Sequence, residues 1–377
     1  MIARPAFGSS KEAAKKGDVI MRKLGKTGLE LPVLSMGVMR ADSPALVKAA
    51  IDSGVIFYDT AYLYQKGKNE EMLGEIFKNY PRDSFIIQTK VPPEDKNGKT
   101  GELGPGATKE AFLEKFDTSL ARLQMDHVDI LSHHGAASRQ GVLHEPVLNA
   151  LLQAKKEGKT KYIGLTTHSN EPEVILAAVE SGVIDVITVA YNFMQDHRED
   201  ISMAMAEAAQ AGIGLIGMKS MAGGFLDKEK TMPVNAKAAL KWALKDPHLT
   251  TCIPGFTSFD QLDTDLEILT DLELTPEELE GLDMAEQAMG LFCQGCSKCR
   301  AQCKKGLPVP EIMRSYMYAY GYGEMAKARE TLDRYSVAAD PCAGCTDCSV
   351  NCSKGFPVSD KIADICRIKS LPGDFLT

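Results

Sequence analysis

Eight short runs rich in Val, Ile and Leu recur along the first two-thirds of the chain, each followed by a longer segment of helical composition. The runs are VLSMGVM (33–39), VIFYDTA (55–61), FIIQTKV (85–91), VDILSHH (128–134), KYIGLTTH (161–168), DVITVAYN (185–192), IGLIGMKS (213–220) and TTCIPG (250–255). Segments such as SPALVKAAIDSG, TKEAFLEKFDTSLARLQ and PEVILAAVESG stand between them. Near-continuous apolar strands alternating with helices specify a parallel sheet. Eight βα units in about 240 residues fit a closed (β/α)8 TIM barrel, an α/β fold. An open doubly wound sheet is the rival, but no G-x-G-x-x-G follows the first run. Ahead of the barrel, MRKLGKTGLELPVL reads as a hairpin turning at Gly25–Gly28. Behind it, FTSFDQLDTDLEIL and TPEELEGLDMAEQAM read as helices. The second has Thr275 as N-cap, Pro276 at the first helical position and Glu278 completing a capping box. Residues 1–20 read as an N-terminal arm without the apolar core of a signal peptide. Residues 21–290 form the barrel and 291–377 a separate small domain.

Cysteine sets that last domain apart. Eight of the ten cysteines lie in CQGCSKCRAQCKKGLP (293–308) and CAGCTDCSVNCSKGFP (342–357). Both runs read C-x2-C-x2-C-x3-C, the spacing of bacterial ferredoxins for [4Fe–4S] clusters, in which the fourth cysteine crosses to the other cluster. One cluster then takes Cys293, Cys296, Cys299 and Cys352, and the other Cys342, Cys345, Cys348 and Cys303. Two zinc sites of four cysteines each are the alternative, although zinc ligands ordinarily come as separated pairs. Disulfides suit a small secreted domain better than a long chain with its cysteines crowded into the tail. A reducing compartment, the cytoplasm, is expected. Between the runs, VPEIMRSYMYAYGYGEMAKARETLDRY reads as helical. The net charge of −8 argues against a general nucleic-acid binder. No apolar run approaches the ~18 residues of a membrane span.

Catalytic groups of a (β/α)8 barrel sit at the C-terminal ends of its strands. Asp59 closes the second run with Tyr64 just beyond it, Lys90 ends the third, and His133 and His134 end the fourth. A lone lysine at a strand end is ordinarily a surface residue with its head in water. Complementary titratable groups at three successive strand ends suggest proton donation to a carbonyl. An ammonium beside a tyrosine favours phenolate and is expected to lower the phenol's pKa. A carboxylate keeps the lysine charged, and a histidine polarises the substrate oxygen or relays the proton.

FYDTAYLY, IIQTKV, VDILSHH, YIGLTTHS and GMKSMAGG resemble the aldo-keto reductase superfamily, and with the cysteine-rich tail the chain is similar to its branch with a C-terminal ferredoxin-like domain. The resemblance covers about residues 20–290. It implies catalytic roles for Asp59, Tyr64, Lys90 and His134, with His133 facing the strand's other side. It implies nicotinamide-side positions at Thr166, Thr167 and Thr188, with Met218 in place of a stacking aromatic and Lys219 next to it. It implies adenosine-side positions at Gly255, Gln261 and Asp265, where the family offers basic or neutral partners. An acid at Asp265 would repel a 2′-phosphate, so NAD(P)H is implied with NADH not disfavoured against NADPH.

Three functions compete. The first is an oxidoreductase acting on a carbonyl or alcohol with hydride from NAD(P)H. The second is an enzyme fed through its clusters by a ferredoxin or flavoprotein, with nicotinamide secondary or absent. The third is a binding protein on an enzyme fold. An Asp–Tyr–Lys–His set speaks against the third. The clusters are expected either to staple a tail with little core or to serve as an electron port, and the port is favoured. The loop PPEDKNGKTGELGPGATKE after the third run is expected to be flexible and polar.

Overall fold

The computed structural model describes residues 19–227, 229–287 and 291–376, so the N-terminal arm lies almost wholly outside the described residues. The hairpin forms as expected, from β1 (Met21–Lys23) and β2 (Glu30–Pro32), paired antiparallel. It plugs the end of the barrel where the strands begin. The Lys26 amide donates to the Gly212 carbonyl at 2.9 Å, and the Arg22 guanidinium donates to the Leu249 and Leu244 carbonyls at 2.6 and 2.9 Å.

Eight parallel strands follow: β3 (Met36–Gly37), β4 (Phe57–Asp59), β5 (Ile86–Val91), β6 (Val128–Ala136), β7 (Thr160–Thr167), β8 (Val186–Ala190), β9 (Gly214–Met218) and β10 (Leu249–Cys252). Each overlaps one of the eight predicted runs, and they pair in sequence order. The sheet closes on itself. Cys252 donates its amide to the Val33 carbonyl at 3.0 Å, Ser35 donates to the Cys252 carbonyl at 2.9 Å, and Gly37 donates to the Pro254 carbonyl at 2.9 Å. That seam rules out the open doubly wound alternative.

The helices are α1 (Pro44–Asp52), α2 (Lys68–Phe77), α3 (Lys109–Leu123), α4 (Arg139–Val142), α5 (Glu145–Lys156), α6 (Glu171–Ser181), α7 (Arg198–Ala211) and α8 (Ala236–Leu244), with α9 (Phe259–Leu266) and α10 (Pro276–Gln287) after β10. Helix α3 shows why they lie on the sheet. Thr108 caps its first turn, and Phe112, Phe116, Leu120 and Leu123 recur on one buried face. At α10 the predicted capping box is reciprocal: Glu278 donates its amide to Thr275 Oγ1 at 3.2 Å, and Thr275 donates its amide to Glu278 Oε2 at 3.0 Å.

Strand alternation divides the core. Tyr58, Ile87, Leu131, Ile187 and Leu215 face the helices, while Phe57, Ile86, Ile130, Val186 and Ile216 face inward above Leu24 and Leu31 of the hairpin. Climbing the inward positions two residues at a time leads from this apolar floor to Asp59, Gln88, Lys90, Ser132, His134, Thr188 and Met218. The floor of the barrel is therefore oily and its upper storeys are polar.

A second core runs from Phe292 to Ile368 and is built on α11 (Val309–Tyr316), α12 (Met325–Arg334) and α13 (Val358–Cys366). The segment predicted as one helical stretch is broken. It widens into a π-turn at Met317–Gly321, and Gly323 then adopts φ 75° before α12 starts. Among the described residues no helix is long and apolar enough to cross a membrane.

Candidate active site

The inward climb brings the catalytic candidates together. Lys90 Nζ contacts Asp59 Oδ2 at 2.7 Å, donates to the Thr60 carbonyl at 2.6 Å and donates to Tyr64 Oη at 3.1 Å. Gln88, which no pattern in the sequence singles out, donates from Nε2 to Asp59 Oδ1 at 2.7 Å and to Thr188 Oγ1 at 3.0 Å. Tyr64 lies on the loop after β4. Gln65 and Lys66 beside it are both left-handed (φ 51° and 57°), a costly turn for residues with side chains. The Gln65 side-chain amide anchors that turn on the Ala41 carbonyl at 3.1 Å, and Asn69 Nδ2 donates to the Val38 carbonyl at 2.8 Å. The ring of His134 stands edge-on to Tyr64 with centroids 5.9 Å apart, and His168 lies 6.4 Å from His134. The Nδ1 atom of His134 is buried without a hydrogen-bond partner among the described residues. His133, one residue back, is buried with its own Nε2 unpaired, near Lys96 and His144.

Burial sets the protonation states. It pushes the Tyr64 phenol well above its ordinary pKa, and the charge of Asp59 adds to the effect. The expected lowering by Lys90 is overturned, because desolvation of a phenolate in this pocket outweighs one ammonium already neutralised by Asp59. Burial first, then Lys90 and His168, holds His134 well below the usual imidazole range. Near neutral pH the site therefore holds a protonated phenol and a neutral imidazole, two hydrogen-bond donors without net charge.

These groups line a cavity of about 1040 Å³ whose walls come from both cores. The barrel contributes Asp59, Tyr64, His134, His168, Met218 and Lys219, and the C-terminal helices contribute Arg314, Tyr318, Tyr322, Lys327 and Arg334. No local pattern in the sequence signals the second set, because α12 is placed by the packing of the second core. The loop after β5 is ordered, against expectation. A bridge joins Lys96 and Leu103, Arg300 donates to the Lys99 carbonyl at 3.2 Å, and Gly98 lies against Tyr335 and Pro308.

Residues 33–238, more than half of the chain, match the Aldo/keto reductase family. The chain belongs to that family. Residues 292–357 match the 4Fe-4S dicluster domain. L-galactose dehydrogenase of Arabidopsis thaliana is 27% identical over 305 residues, covering 71% of this chain and 93% of that protein. L-glyceraldehyde 3-phosphate reductase of Escherichia coli (strain K12) is 25% identical over 326 residues, covering 71% and 92%. The solved holo form of an aldo-keto reductase from Bacillus halodurans superposes with a TM-score of 0.58 at 23% identity, covering 72% of this chain and 97% of that one. That likeness shows the fold.

The three threonines expected on the nicotinamide side make their hydrogen bonds within the barrel. Thr166 accepts the Gly135 amide at 2.9 Å, Thr167 donates to the Ser169 carbonyl at 3.0 Å, and Thr188 is occupied by Gln88. All three are buried, and none lines the cavity. Met218, Lys219, Gly255, Gln261 and Asp265 do line it. Lys219 (φ 61°), Ala222 (50°), Gly223 (113°) and Gly224 (87°) make a glycine-bearing turn on this wall, in which the Ala222 and Gly224 amides donate to the Lys219 and Met221 carbonyls at 3.1 and 2.8 Å. The cavity is large enough for a dinucleotide, while the threonines expected to hold one stand outside its lining. Asp265 lies on the edge after β10, its carboxyl pushed up to about 7 by burial.

The cysteines fall into two groups, and each mixes the two runs. Cys293 has Cys296, Cys299 and Cys352 as its charge neighbours, whereas Cys342 has Cys345, Cys348 and Cys303. The ferredoxin spacing would pair the cysteines in this way, with the fourth of each run beside the three of the other. The runs are laced together by Ser349, which donates to the Gln302 carbonyl at 2.7 Å, and by the Asn351 amide, which donates to Gln302 Oε1 at 2.6 Å. Cys345 and Cys348 are exposed, while the first run turns inward. Gly295, at φ 81°, leaves no room for a Cβ against the His168 carbonyl. Gln294 accepts from Asn192 at 3.0 Å and donates to the Ala222 carbonyl at 3.0 Å. The inner cysteine loop thus forms the back of the wall whose front faces Tyr64.

Proposed function

We propose that this protein is an oxidoreductase that interconverts a carbonyl compound and its alcohol at Tyr64, using NAD(P)H, and that two [4Fe–4S] clusters held by residues 291–377 exchange electrons with an external carrier. The observation that carries the reading is the buried chain Asp59–Lys90–Tyr64, with contacts of 2.7 and 3.1 Å, beside the unpaired ring of His134. Reduced nicotinamide, when bound, supplies a hydride to the carbonyl carbon. Tyr64 gives its phenolic proton to the carbonyl oxygen, so carbonyl, hydride and proton sum to the alcohol. Lys90 stabilises the phenolate left behind, which lowers the barrier in the direction that matters, and Asp59 keeps Lys90 oriented. His134, neutral, donates a hydrogen bond to the same oxygen. Tyr64 recovers its proton from solvent through the cavity.

The grouping of Cys352 with the first run and of Cys303 with the second supports two clusters, and the exposure of Cys345 and Cys348 supports an electron port toward a ferredoxin-like or flavin-containing partner. A cluster ordinarily passes one electron whereas hydride carries two, so the port is read as serving the clusters, with hydride chemistry kept in the barrel. Residues 21–290 then carry the chemistry and 291–377 the electron exchange, in the reducing cytoplasm. The test is anaerobic turnover of a panel of aldehydes and ketones with NADH and with NADPH, with iron and acid-labile sulfide counted on the same sample. Consumption of neither nucleotide with any carbonyl rejects the reductase reading.

A further inference from the structure

The cavity mouth over Tyr64 is cationic, and part of the charge comes from outside the barrel. Arg314 on α11, Lys327 and Arg334 on α12, and Lys96 and Lys219 from the barrel all line it. Pairing leaves the set with an excess of positive charge. Glu330 is shared between Lys327 at 2.9 Å and Arg334 at 2.7 Å. Glu311 is shared between Arg314 at 3.3 Å and Arg300 at 3.8 Å. Lys96 donates to the Gly135 carbonyl at 2.6 Å, and Lys219 faces the rings of Tyr318 and Tyr322 at 4.7 and 5.0 Å. Neither lysine makes an ion pair among the described residues.

The acids of the cavity offset this only in part. Asp59 is neutralised by Lys90, and Asp95, which accepts the Gly106 amide at 2.9 Å, cancels one cation. Glu94 is paired with Lys115. Asp260 and Asp265 belong to the opposite edge, after β10. The whole chain carries a net charge of −8, so a positive mouth is a local construction and not a background field. Lys327 and Arg334 are also near enough to His134 to oppose its protonation.

We propose that the substrate carries an anionic group, a carboxylate or a phosphate, held by Lys327 and Arg334 of the C-terminal domain while its carbonyl oxygen meets Tyr64. The proposal rests on the reductase reading for the second half of that sentence only. It gives the iron–sulfur domain a part in substrate choice: without α12 the barrel would present Tyr64 to open water. An anion entering between Lys327 and Arg334 competes with Glu330 for both cations, so the strength of binding is set by that carboxylate.

The test uses the cluster-loaded protein. Titration calorimetry with benzoate, methyl phosphate and benzamide measures anion binding independently of turnover. At least one anion is expected to bind tenfold or more tightly than benzamide, and the stronger of the two identifies the group. The double variant Lys327→Gln/Arg334→Gln is expected to weaken that anion at least tenfold, Lys327→Arg/Arg334→Lys to retain most of it, and Glu330→Gln to strengthen it. The ratio of kcat/KM for 4-carboxybenzaldehyde or glyceraldehyde 3-phosphate to that for the neutral aldehyde should fall by a similar factor in the double variant. Equal binding of anions and benzamide overturns the proposal. So does an equal loss of NADH affinity in the double variant, which would assign the cations to the nucleotide. Anion binding as expected in a protein that turns over no carbonyl keeps the anion subsite and removes the reductase reading.

Discussion

The ammonium of Lys327, carried by α12 of the iron–sulfur domain, stands 6.0 Å from the ring centroid of Tyr64 at the end of β4. Some 260 residues of chain separate the two, as their numbers show. The tyrosine proposed as the acid of the barrel and a cation of the second domain therefore face the same few ångströms of cavity.

Tyr64→Phe removes the phenol bonded to Lys90. Carbonyl reduction is expected to fall by at least the ~10²–10⁴-fold typical of general acid catalysis, with nucleotide affinity retained. Because burial holds the phenol well above its ordinary pKa, Tyr64 stays protonated through ordinary alkaline buffers. The rate of reduction should therefore show no decline between about pH 7 and 9 that Tyr64→Phe abolishes. Near-native turnover by the phenylalanine variant would refute the assignment.

Cys303 belongs to the first run by sequence and to the second group by position. Cys303→Ser is expected to damage the cluster of Cys342, Cys345 and Cys348 and to spare the one that includes Cys293. Iron and sulfide analysis should drop toward one cluster, and low-temperature electron paramagnetic resonance should retain the signal that Cys293→Ser removes. Loss of the same signal in both variants would mean that the fourth ligands do not cross.

If Asp265 faces the 2′ position of a bound nucleotide, it ties cofactor choice to pH. Its carboxyl sits near 7, so it is largely neutral at pH 6 and largely ionised at pH 8. The ratio of the NADPH to the NADH dissociation constant should rise across that window, and Asp265→Asn should flatten the rise. The sign for stability follows from the same shift. A carboxyl raised from about 4 to about 7 by folding favours the folded state below about pH 4, and that advantage is lost as pH rises to about 7, for a difference on the order of 4 kcal/mol. Asp265→Asn should therefore melt higher than the parent at pH 8, by less at pH 5.5, and approach it only near pH 4. A hundredfold preference for NADPH at pH 8 would remove Asp265 from the nucleotide site.

The barrel was legible because its signal is repetitive: eight apolar runs with helices between them, and side chains alternating inward and outward along each. Asp59, Lys90 and His134 were legible for the same reason, as polar residues at inward positions near strand ends. The Tyr64 protonation state was not, because a neighbouring lysine is visible in sequence and the desolvation that outweighs it is a property of the closed cavity. Thr166 and Thr188 occupy the expected strand positions, yet their hydroxyls are taken by the Gly135 amide and Gln88. An aligned position carries no information about who already holds its hydrogen bonds. Lys327 and Arg334 reach the mouth through a second core, and the loop after β5 is ordered by Arg300, Pro308 and Tyr335. Contacts between separately folded cores leave no periodicity in the chain.

The two cysteine groups are placed unequally, and that asymmetry predicts a direction of electron flow. Cys345 and Cys348 are exposed, while the loop of Cys293 and Gly295 is pressed against His168 at the back of the active-site wall. If the clusters serve an external carrier, electrons enter and leave at the exposed group and the inner group is reached through it. Cys345→Ser, with the inner cluster intact by spectroscopy, should then slow reduction of the remaining cluster by reduced ferredoxin at least tenfold in stopped-flow measurements. A small low-potential dye, which can approach the protein from many sides, should be slowed far less. Gly295→Ala offers an opposite control: its added methyl would push the inner loop from His168 and disturb carbonyl turnover, while the exposed group continues to accept electrons at the parental rate. Equal reduction of the inner cluster by ferredoxin with and without the outer one, together with full carbonyl turnover in protein lacking both clusters, would leave the iron–sulfur domain as a structural staple and end the port reading.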